Sequence, residues 1–320
     1  MELKPDVLKR FDELEKKFSA MGQDLVSYLD GLLYADFLTY WDYIHLDTLL
    51  SLQNPKTNFP DEKIFIIYHQ ITELYFKLCL NEFEQLNDKN EIDMKFFLTR
   101  ITRINNYFEN LVRSFEIMVA GMEQEQFLKF RMSLLPASGF QSAQYRQIEI
   151  CATDFIRLVS KDHRSKFNQS SSIVEMFEFI YWKAGATELA TGKKTLTLEQ
   201  FEQKYSTALI HLAEEKKSTN LWQIYKNLPQ EDQQNPKVIA SLKLLDVNVN
   251  VNWPLSHYKS AVRYLQKDPE DIKATGGTNW QKYLPPRFQK RIFFQELFTA
   301  DELENWGKNW ITKEVFGISN

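Results

Sequence analysis

The segment 61–87, DEKIFIIYHQITELYFKLCLNEFEQLN, decides the fold class of this chain. Its pattern of apolar and polar residues is helical throughout, which predicts a single helix of roughly 27 residues and ~40 Å. Glycine and proline, which interrupt helices, occur only 10 times each in 320 residues. Long helices joined by few turns are therefore expected.

Helical patterns continue on both sides of this segment. They cover 5–20, 94–120, 174–183, 198–226, 237–245 and 255–266. No alternating run exceeds VNVNVNW near residue 250, so no sheet is expected. We predict an all-α helical bundle in a single domain over 1–320, with a surface loop at 185–197. Residues 1–33 form a helical extension that could wrap a partner subunit.

Composition and charge limit the classes of partner and compartment. Lys and Arg number 39 against 43 Asp and Glu, a net charge of −4, so the basic excess that binds nucleic acid is missing. Cys79 and Cys151 lie in apolar helical segments, which is typical of buried thiols in a reducing compartment. The most apolar stretch, 64–80, carries His69, Glu73 and other polar residues and cannot span a membrane. With no signal peptide visible, we expect a cytoplasmic protein without membrane or nucleic-acid partners.

Several motifs with established chemistry are missing from the sequence. It contains no HExxH, CxxC, GxGxxG or paired ExxH motif. Zinc catalysis, covalently attached haem and dinucleotide redox chemistry are therefore disfavoured.

Two of the five histidines have informative surroundings. His69 shares one face of the long helix with Phe65, Thr72 and Phe76. That stripe suits a ligand or catalytic imidazole, although the pattern alone favours a core histidine bonded to a neighbour such as Glu73. His257 follows Trp253-Pro254 near a predicted helix start. From this position alone, a capping or surface histidine is as expected as a functional one.

An arginine and a glycine-rich loop complete the candidates. Arg131, between Phe130 and Met132, is either a carboxylate anchor or a side chain whose charged end extends to water, and this stretch alone favours the second. In 274–278, ATGGT, the backbone could approach a ligand closely, or the segment is a plain turn.

Taken in order, four features resemble the haem-dependent tryptophan 2,3-dioxygenase family. They are FIIYHQITELYFK, FRMSLLPASGFQSAQYRQIE, the isolated His257 and ATGGT, and LTYWDYIHLDTLLSLQ extends the resemblance to about residues 34–295. The resemblance implies an all-α homotetramer that binds haem b. It implies an enzyme that opens the indole ring of L-tryptophan with O2 to give N-formylkynurenine, the first step of the kynurenine route.

The resemblance also implies a role for individual residues. His257 would be the axial ligand of the haem iron, with Ser138 beside the haem on the other face. His69 would accept a hydrogen bond from the indole N–H, while Arg131 and Thr275 would hold the carboxylate and the ammonium group. Further substrate-contacting positions by the same resemblance are Phe65, Ile66, Ile67, Tyr68 and Phe127, together with Tyr40, Tyr43 and Ile44 from a neighbouring subunit.

The sequence departs from the family pattern at a few positions. Phe127 stands where many members have tyrosine, and Ala274 replaces the first glycine of the loop. The segment between His257 and Thr275 is longer than usual, and Leu255-Ser256 lacks a basic residue common in the family. These differences bear on substrate and affinity rather than on haem binding.

Two other functions are compatible with these residues. One is a haem-dependent hydroxylase of an aromatic amino acid, and the other is a non-catalytic haem-binding or indole-binding protein. Arg131 and Thr275 argue against haem storage, because they would recognise an amino-acid head group. A purely structural bundle would purify colourless.

Overall fold

The computed structural model describes residues 4–89, 91–134, 141–187, 193–265, 286 and 290–308. These residues contain no β-strand, and their only pairings of that kind are two single bridges, Val159 with Ile180 and Thr187 with Lys194. The all-α prediction is confirmed. The α-helices are α1 Pro5–Ala20, α2 Leu25–Leu33, α3 Tyr40–Tyr43, α4 Leu46–Leu50, α5 Asp61–Asp88, α6 Met94–Ser114, α7 Glu116–Ala120, α8 Gln124–Phe130, α9 Ala143–Ala152, α10 Ile173–Glu178, α11 Tyr181–Gly185, α12 Leu196–Glu215, α13 Leu221–Lys226, α14 Gln230–Gln233, α15 Pro236–Val247, α16 Trp253–Leu265 and α17 Ala300–Glu304.

The chain divides into two compact units, Met1–Asn54 and Pro55–Asn320. The first unit contains α1 to α4 and is longer than the extension predicted at 1–33. Within it, Phe18 of α1 packs on Tyr28 of α2 with ring centroids 4.3 Å apart. Large apolar side chains remain exposed here, up to 93% for Phe37. Such an apolar surface is typical of a segment that contacts another protein chain.

The core of the second unit forms between α5 and α6. Helix α5 has the predicted length, and its buried face packs against that of α6. The predicted helix 94–120 is interrupted, because α6 ends at Ser114 and α7 begins at Glu116. At this break the Tyr68 hydroxyl donates to the Leu111 carbonyl, to which Ser114 also donates.

The segment 248–252, NVNVN, is helical rather than an interruption between two helices. It forms a π-helical turn, Asn248–Asn252, that joins α15 directly to α16. Pro254 lies inside this continuous helix, at a position where a regular α-helix would be broken. The predicted boundaries near Leu245 and Leu255 are therefore wrong.

Three other boundaries differ from the sequence predictions. The predicted helix 198–226 is two helices, since the Asn220 side chain caps the start of α13 by accepting from the Gln223 N–H. The predicted helix 174–183 is also two helices, α10 and α11. The predicted loop 185–197 is shorter at both ends, where α11 ends at Gly185 and α12 begins at Leu196.

Cys79 and Cys151 are both buried and unpaired, so the predicted burial of the two thiols is confirmed. Among the described helices, none has the length and apolar character that crossing a membrane requires.

Candidate functional site

The first imidazole of the site is that of His69, on α5. Its ring packs on the ring of Phe65, one turn earlier, with centroids 4.1 Å apart. Nδ1 lies 2.7 Å from the Phe65 carbonyl oxygen. Because a carbonyl only accepts hydrogen bonds, Nδ1 carries the proton and Nε2 keeps a lone pair. Burial lowers the pKa of His69, which keeps the ring neutral.

The partner of His69 is therefore the Phe65 carbonyl and not the Glu73 carboxylate. The Glu73 carboxylate instead accepts a hydrogen bond of 2.8 Å from the Gln144 side chain of α9. Nε2 of His69 remains an acceptor that a substrate N–H could use.

The second imidazole is that of His257, on α16. It packs on Phe115 at 4.4 Å and on Trp253 at 4.5 Å between ring centroids. Nδ1 lies 3.0 Å from the Trp253 carbonyl oxygen, so Nε2 again keeps the lone pair. Burial, with a smaller contribution from His69, lowers the pKa of His257 to about 4. His257 is thus a half-buried neutral base and neither a surface nor a capping residue.

An aromatic wall extends from His69 towards α16. Phe65 packs on Phe130 with centroids 5.8 Å apart and on Phe127 at 6.4 Å. Phe127 in turn packs on Tyr264 of α16 at 4.7 Å. The structure therefore brings together Phe65, His69 and Phe127, three positions that the family resemblance assigned to one pocket.

The other three positions predicted on this stretch of α5 have different surroundings. Successive residues of a helix point about 100° apart, so Ile67 points away from Phe65 and His69. Tyr68 is buried against α6, where its hydroxyl donates to the Leu111 carbonyl. Ile67 is exposed and Ile66 is half-buried.

Arg131 begins a 3₁₀ turn, Arg131–Leu134, directly after α8. The residue is only 5% exposed, and burial lowers the pKa of its guanidinium. A side chain whose charged end reaches water would be exposed at that end, so this alternative is wrong. A buried guanidinium near the aromatic wall suits a carboxylate ligand.

Hydrogen bonds attach α8, which directly precedes Arg131, to the rest of the site. The Gln124 side chain donates to the carbonyls of Arg263 and Tyr264 at the end of α16. The Asp61 carboxylate, at the start of α5, accepts from the Glu123 N–H at 2.6 Å. Helices α5, α8 and α16 are thereby fixed relative to one another.

Some predicted site residues have no place in this geometry. Ser138 and Thr275, with the rest of the ATGGT loop, lie outside the described residues. Tyr40, Tyr43 and Ile44 belong to the first unit, where both tyrosines are exposed.

Two aromatic neighbours of His257 were missed by the sequence analysis. Trp253 could have been found, since it precedes His257 by one helical turn. Phe115 could not, because it lies on another element far away in the sequence.

The residues present fit the haem that the resemblance implies. Haem iron can take a neutral imidazole nitrogen as its axial ligand, and a backbone bond at Nδ1 orients the ring and raises the basicity of Nε2. His257 has both properties. In the part of the chain that the structure covers, no group of three or more His, Cys, Asp or Glu side chains could hold a metal ion.

Comparison with known proteins finds relatives that share one description. A family profile described as tryptophan 2,3-dioxygenase matches residues 33–228. The tryptophan 2,3-dioxygenase of Pseudomonas fluorescens is 27% identical over 83% of this chain and 91% of its own, and that of Herpetosiphon aurantiacus is 29% identical over 82% and 96%. That of Ruegeria sp. is 42% identical over a shorter stretch, 36% of this chain, and the match covers 42% of that relative. The match to the Polaromonas naphthalenivorans relative likewise covers half of its length.

Proposed function

The chain belongs to the tryptophan 2,3-dioxygenase family, and from this membership and the site geometry we propose that it is a haem-dependent dioxygenase of L-tryptophan. It inserts both atoms of one O2 across the indole C2–C3 bond and gives N-formylkynurenine. The observation that carries this proposal is the pair of neutral imidazoles, His69 and His257, each with Nε2 as a lone-pair nitrogen.

His257 would hold the haem iron through Nε2. Ferrous haem, when bound, would supply an iron that binds and activates O2. The low pKa of His257 means that protons do not compete for Nε2 near neutral pH.

His69 would orient the substrate. Its Nε2 can accept a hydrogen bond from the indole N–H, and this bond fixes the direction of C2 and C3. Phe65 and Phe127 offer apolar faces to the indole ring. Holding the reacting carbons in place converts a bimolecular encounter into a local step, which supplies much of the rate enhancement.

Arg131 would bind the substrate carboxylate. Its planar guanidinium can make two parallel hydrogen bonds to a carboxylate, and its burial makes each bond stronger than it would be in water. By resemblance, Thr275 would contact the ammonium and carboxylate groups and Ser138 would lie beside the haem. Phe127 in place of the common tyrosine leaves an apolar contact without a hydroxyl.

The proposal includes a homotetramer in the cytoplasm. An aromatic segment with Tyr40, Tyr43 and Ile44 would close the pocket of a neighbouring subunit. The high exposure of Tyr40 and Tyr43 supports this role, because such side chains are usually covered by a partner.

The fate of the oxygen atoms tests the reaction. Purified protein, reconstituted with haem and reduced, would be incubated with L-tryptophan and 18O2. We expect a product carrying two labelled oxygens, formed without peroxide or continued reductant. One labelled atom, or dependence on peroxide, would establish the hydroxylase alternative, and haem binding without turnover would establish a binding protein.

A further inference from the structure

The π-helical turn before His257 leaves one backbone carbonyl without a helical partner. In this turn the Trp253 N–H donates to the Asn248 carbonyl, five residues earlier. The next bond of the same kind would join residue 254 to the Val249 carbonyl. Residue 254 is a proline, which has no N–H to donate. Since Val249 is fully buried, bulk water does not reach this carbonyl.

A side chain from another helix supplies this donor. The hydroxyl of Tyr145, on α9, lies 2.8 Å from the Val249 carbonyl oxygen in a buried position. Burial raises the pKa of Tyr145 to about 12, so the hydroxyl keeps its proton at any physiological pH. Tyr145 belongs to the FQSAQYR stretch that carries the family resemblance, and the proposed reaction gives it no role.

The π-turn determines where His257 points. One additional residue in a helix rotates all later residues by about 100° around the axis relative to a regular α-helix. His257 lies one turn beyond Trp253, and its Nδ1 bonds to the Trp253 carbonyl. Any relaxation of the turn towards regular α-helix would therefore redirect the imidazole.

Packing connects the same residues. The ring of Tyr145 contacts Phe76 with centroids 5.5 Å apart, Phe76 contacts Trp253 at 5.8 Å, and Trp253 contacts His257 at 4.5 Å. A loss of the Tyr145 hydrogen bond would therefore affect the immediate surroundings of the imidazole.

We propose that Tyr145 is a positioning residue for His257: its hydroxyl replaces the amide missing at Pro254, holds the π-turn and thereby fixes the direction of Nε2. The consequence for haem rests on the proposed function, whereas the hydrogen-bond replacement itself does not.

The test is a double-mutant cycle. Tyr145→Phe removes the hydroxyl and keeps the ring, and Pro254→Ala restores an N–H at residue 254. A matched control is Tyr225→Phe, because the Tyr225 hydroxyl also donates to a backbone carbonyl, that of Gln233, at 2.8 Å. Hydrogen exchange of the peptide 248–260 would be measured in cofactor-free protein, and haem affinity and the ferrous iron–imidazole stretching frequency in reconstituted protein.

We expect Tyr145→Phe to speed exchange in this peptide and to weaken haem binding, each by about tenfold, and to shift the stretching frequency. In the Pro254→Ala background, Tyr145→Phe should have little effect on the exchange rate, the haem affinity or the stretching frequency. Tyr225→Phe should leave all three at the wild-type values, although its overall stability falls.

An unchanged hydrogen-exchange rate in Tyr145→Phe would overturn the proposal. A double variant whose exchange rate and haem affinity are no closer to the wild-type values than those of Tyr145→Phe would also overturn it. If Tyr145→Phe does not fold, a folded double variant supports the proposal and an unfolded one overturns it. If the wild type takes up no haem, the proposed function fails, but the exchange comparison still decides the role of Tyr145.

Discussion

His69 and His257 make the same hydrogen bond, each from Nδ1 to the backbone carbonyl one turn earlier in its own helix. The distances are 2.7 Å to Phe65 and 3.0 Å to Trp253. Burial lowers the pKa of both rings, and His69 contributes to the lowered pKa of His257. Both imidazoles therefore keep Nε2 as a lone-pair nitrogen, and under the proposed function that of His257 would bind the haem iron and that of His69 would accept the indole N–H.

Exchanging each histidine for alanine distinguishes the two proposed roles. We expect His257→Ala to lose haem on purification, because Nε2 of His257 is the proposed ligand of the iron. We expect His69→Ala to retain haem and to turn over about 100-fold more slowly, because the indole is no longer positioned. Visible spectra and steady-state kinetics measure both effects. The control is His211→Ala, since the His211 side chain is 78% exposed. Haem loss in His69→Ala with retention in His257→Ala would reverse the two assignments.

Arg131→Leu should weaken binding of L-tryptophan by about 2–5 kcal/mol, the value of a desolvated charge pair. Tryptamine lacks the carboxylate, so its affinity should change far less. Comparing KM or Kd for both compounds measures the difference. Lys129→Ala is the matched control, because Lys129 is a nearby exposed cation that pairs with Glu125. Equal losses for both compounds would place the carboxylate anchor elsewhere.

Asp246 predicts a pH dependence of stability. Burial raises the pKa of this carboxyl from 3.8 to about 7, although the Phe293 and Phe294 N–H groups donate to it. Its contribution to stability is therefore complete below about pH 4 and is lost as the pH rises to about 7. In Asp246→Asn this loss should disappear, because the side chain stays neutral. The Asn250 side-chain amide now donates to Asp246. In the variant it could rotate so that its oxygen accepts from the amide group introduced at position 246.

Melting temperatures between pH 4 and pH 8 measure the effect of Asp246→Asn. The Tm of the wild type should fall relative to that of the variant as the pH rises through this range. Parallel curves for the two proteins would contradict the expectation.

The sequence predicted those parts of the fold and site that depend on local periodicity. The pattern of 61–87 predicted the length of α5 and placed Phe65 and His69 on one face, since that face is set by helical geometry alone. The hydrogen bond from Tyr145 to Val249 joins residues 104 positions apart, and the contact of Phe115 with His257 spans a similar separation. No local pattern encodes such pairings.

The NVNVNW stretch shows why local patterns can also mislead. Its alternation is typical of a strand or an irregular segment, and asparagine favours neither helix nor burial. In the structure the asparagine amides bond to side chains one turn away, Asn250 to Asp246 and Asn252 to Asn248. Asn248 in turn donates to Asn105 of α6. These buried bonds stabilise the helical form and depend on a tertiary neighbour that the sequence does not reveal.

Complementation between two impaired variants tests whether Tyr40 acts on a neighbouring subunit. Tyr40→Ala subunits keep His69, and His69→Ala subunits keep Tyr40. If the aromatic segment closes the pocket of another copy, a mixed oligomer contains some sites with both residues intact, and activity returns. If Tyr40 acts on the pocket of its own chain, every site lacks one of the two residues.

We expect co-expressed variants to recover a substantial fraction of wild-type activity, up to about a quarter if subunits mix at random and each pocket takes its segment from one neighbour. The control mixes His69→Ala with Arg131→Leu, two changes in the same unit of the chain, which should yield no recovery. Equal activity in both mixtures would contradict the proposal that Tyr40 acts on the pocket of a neighbouring subunit.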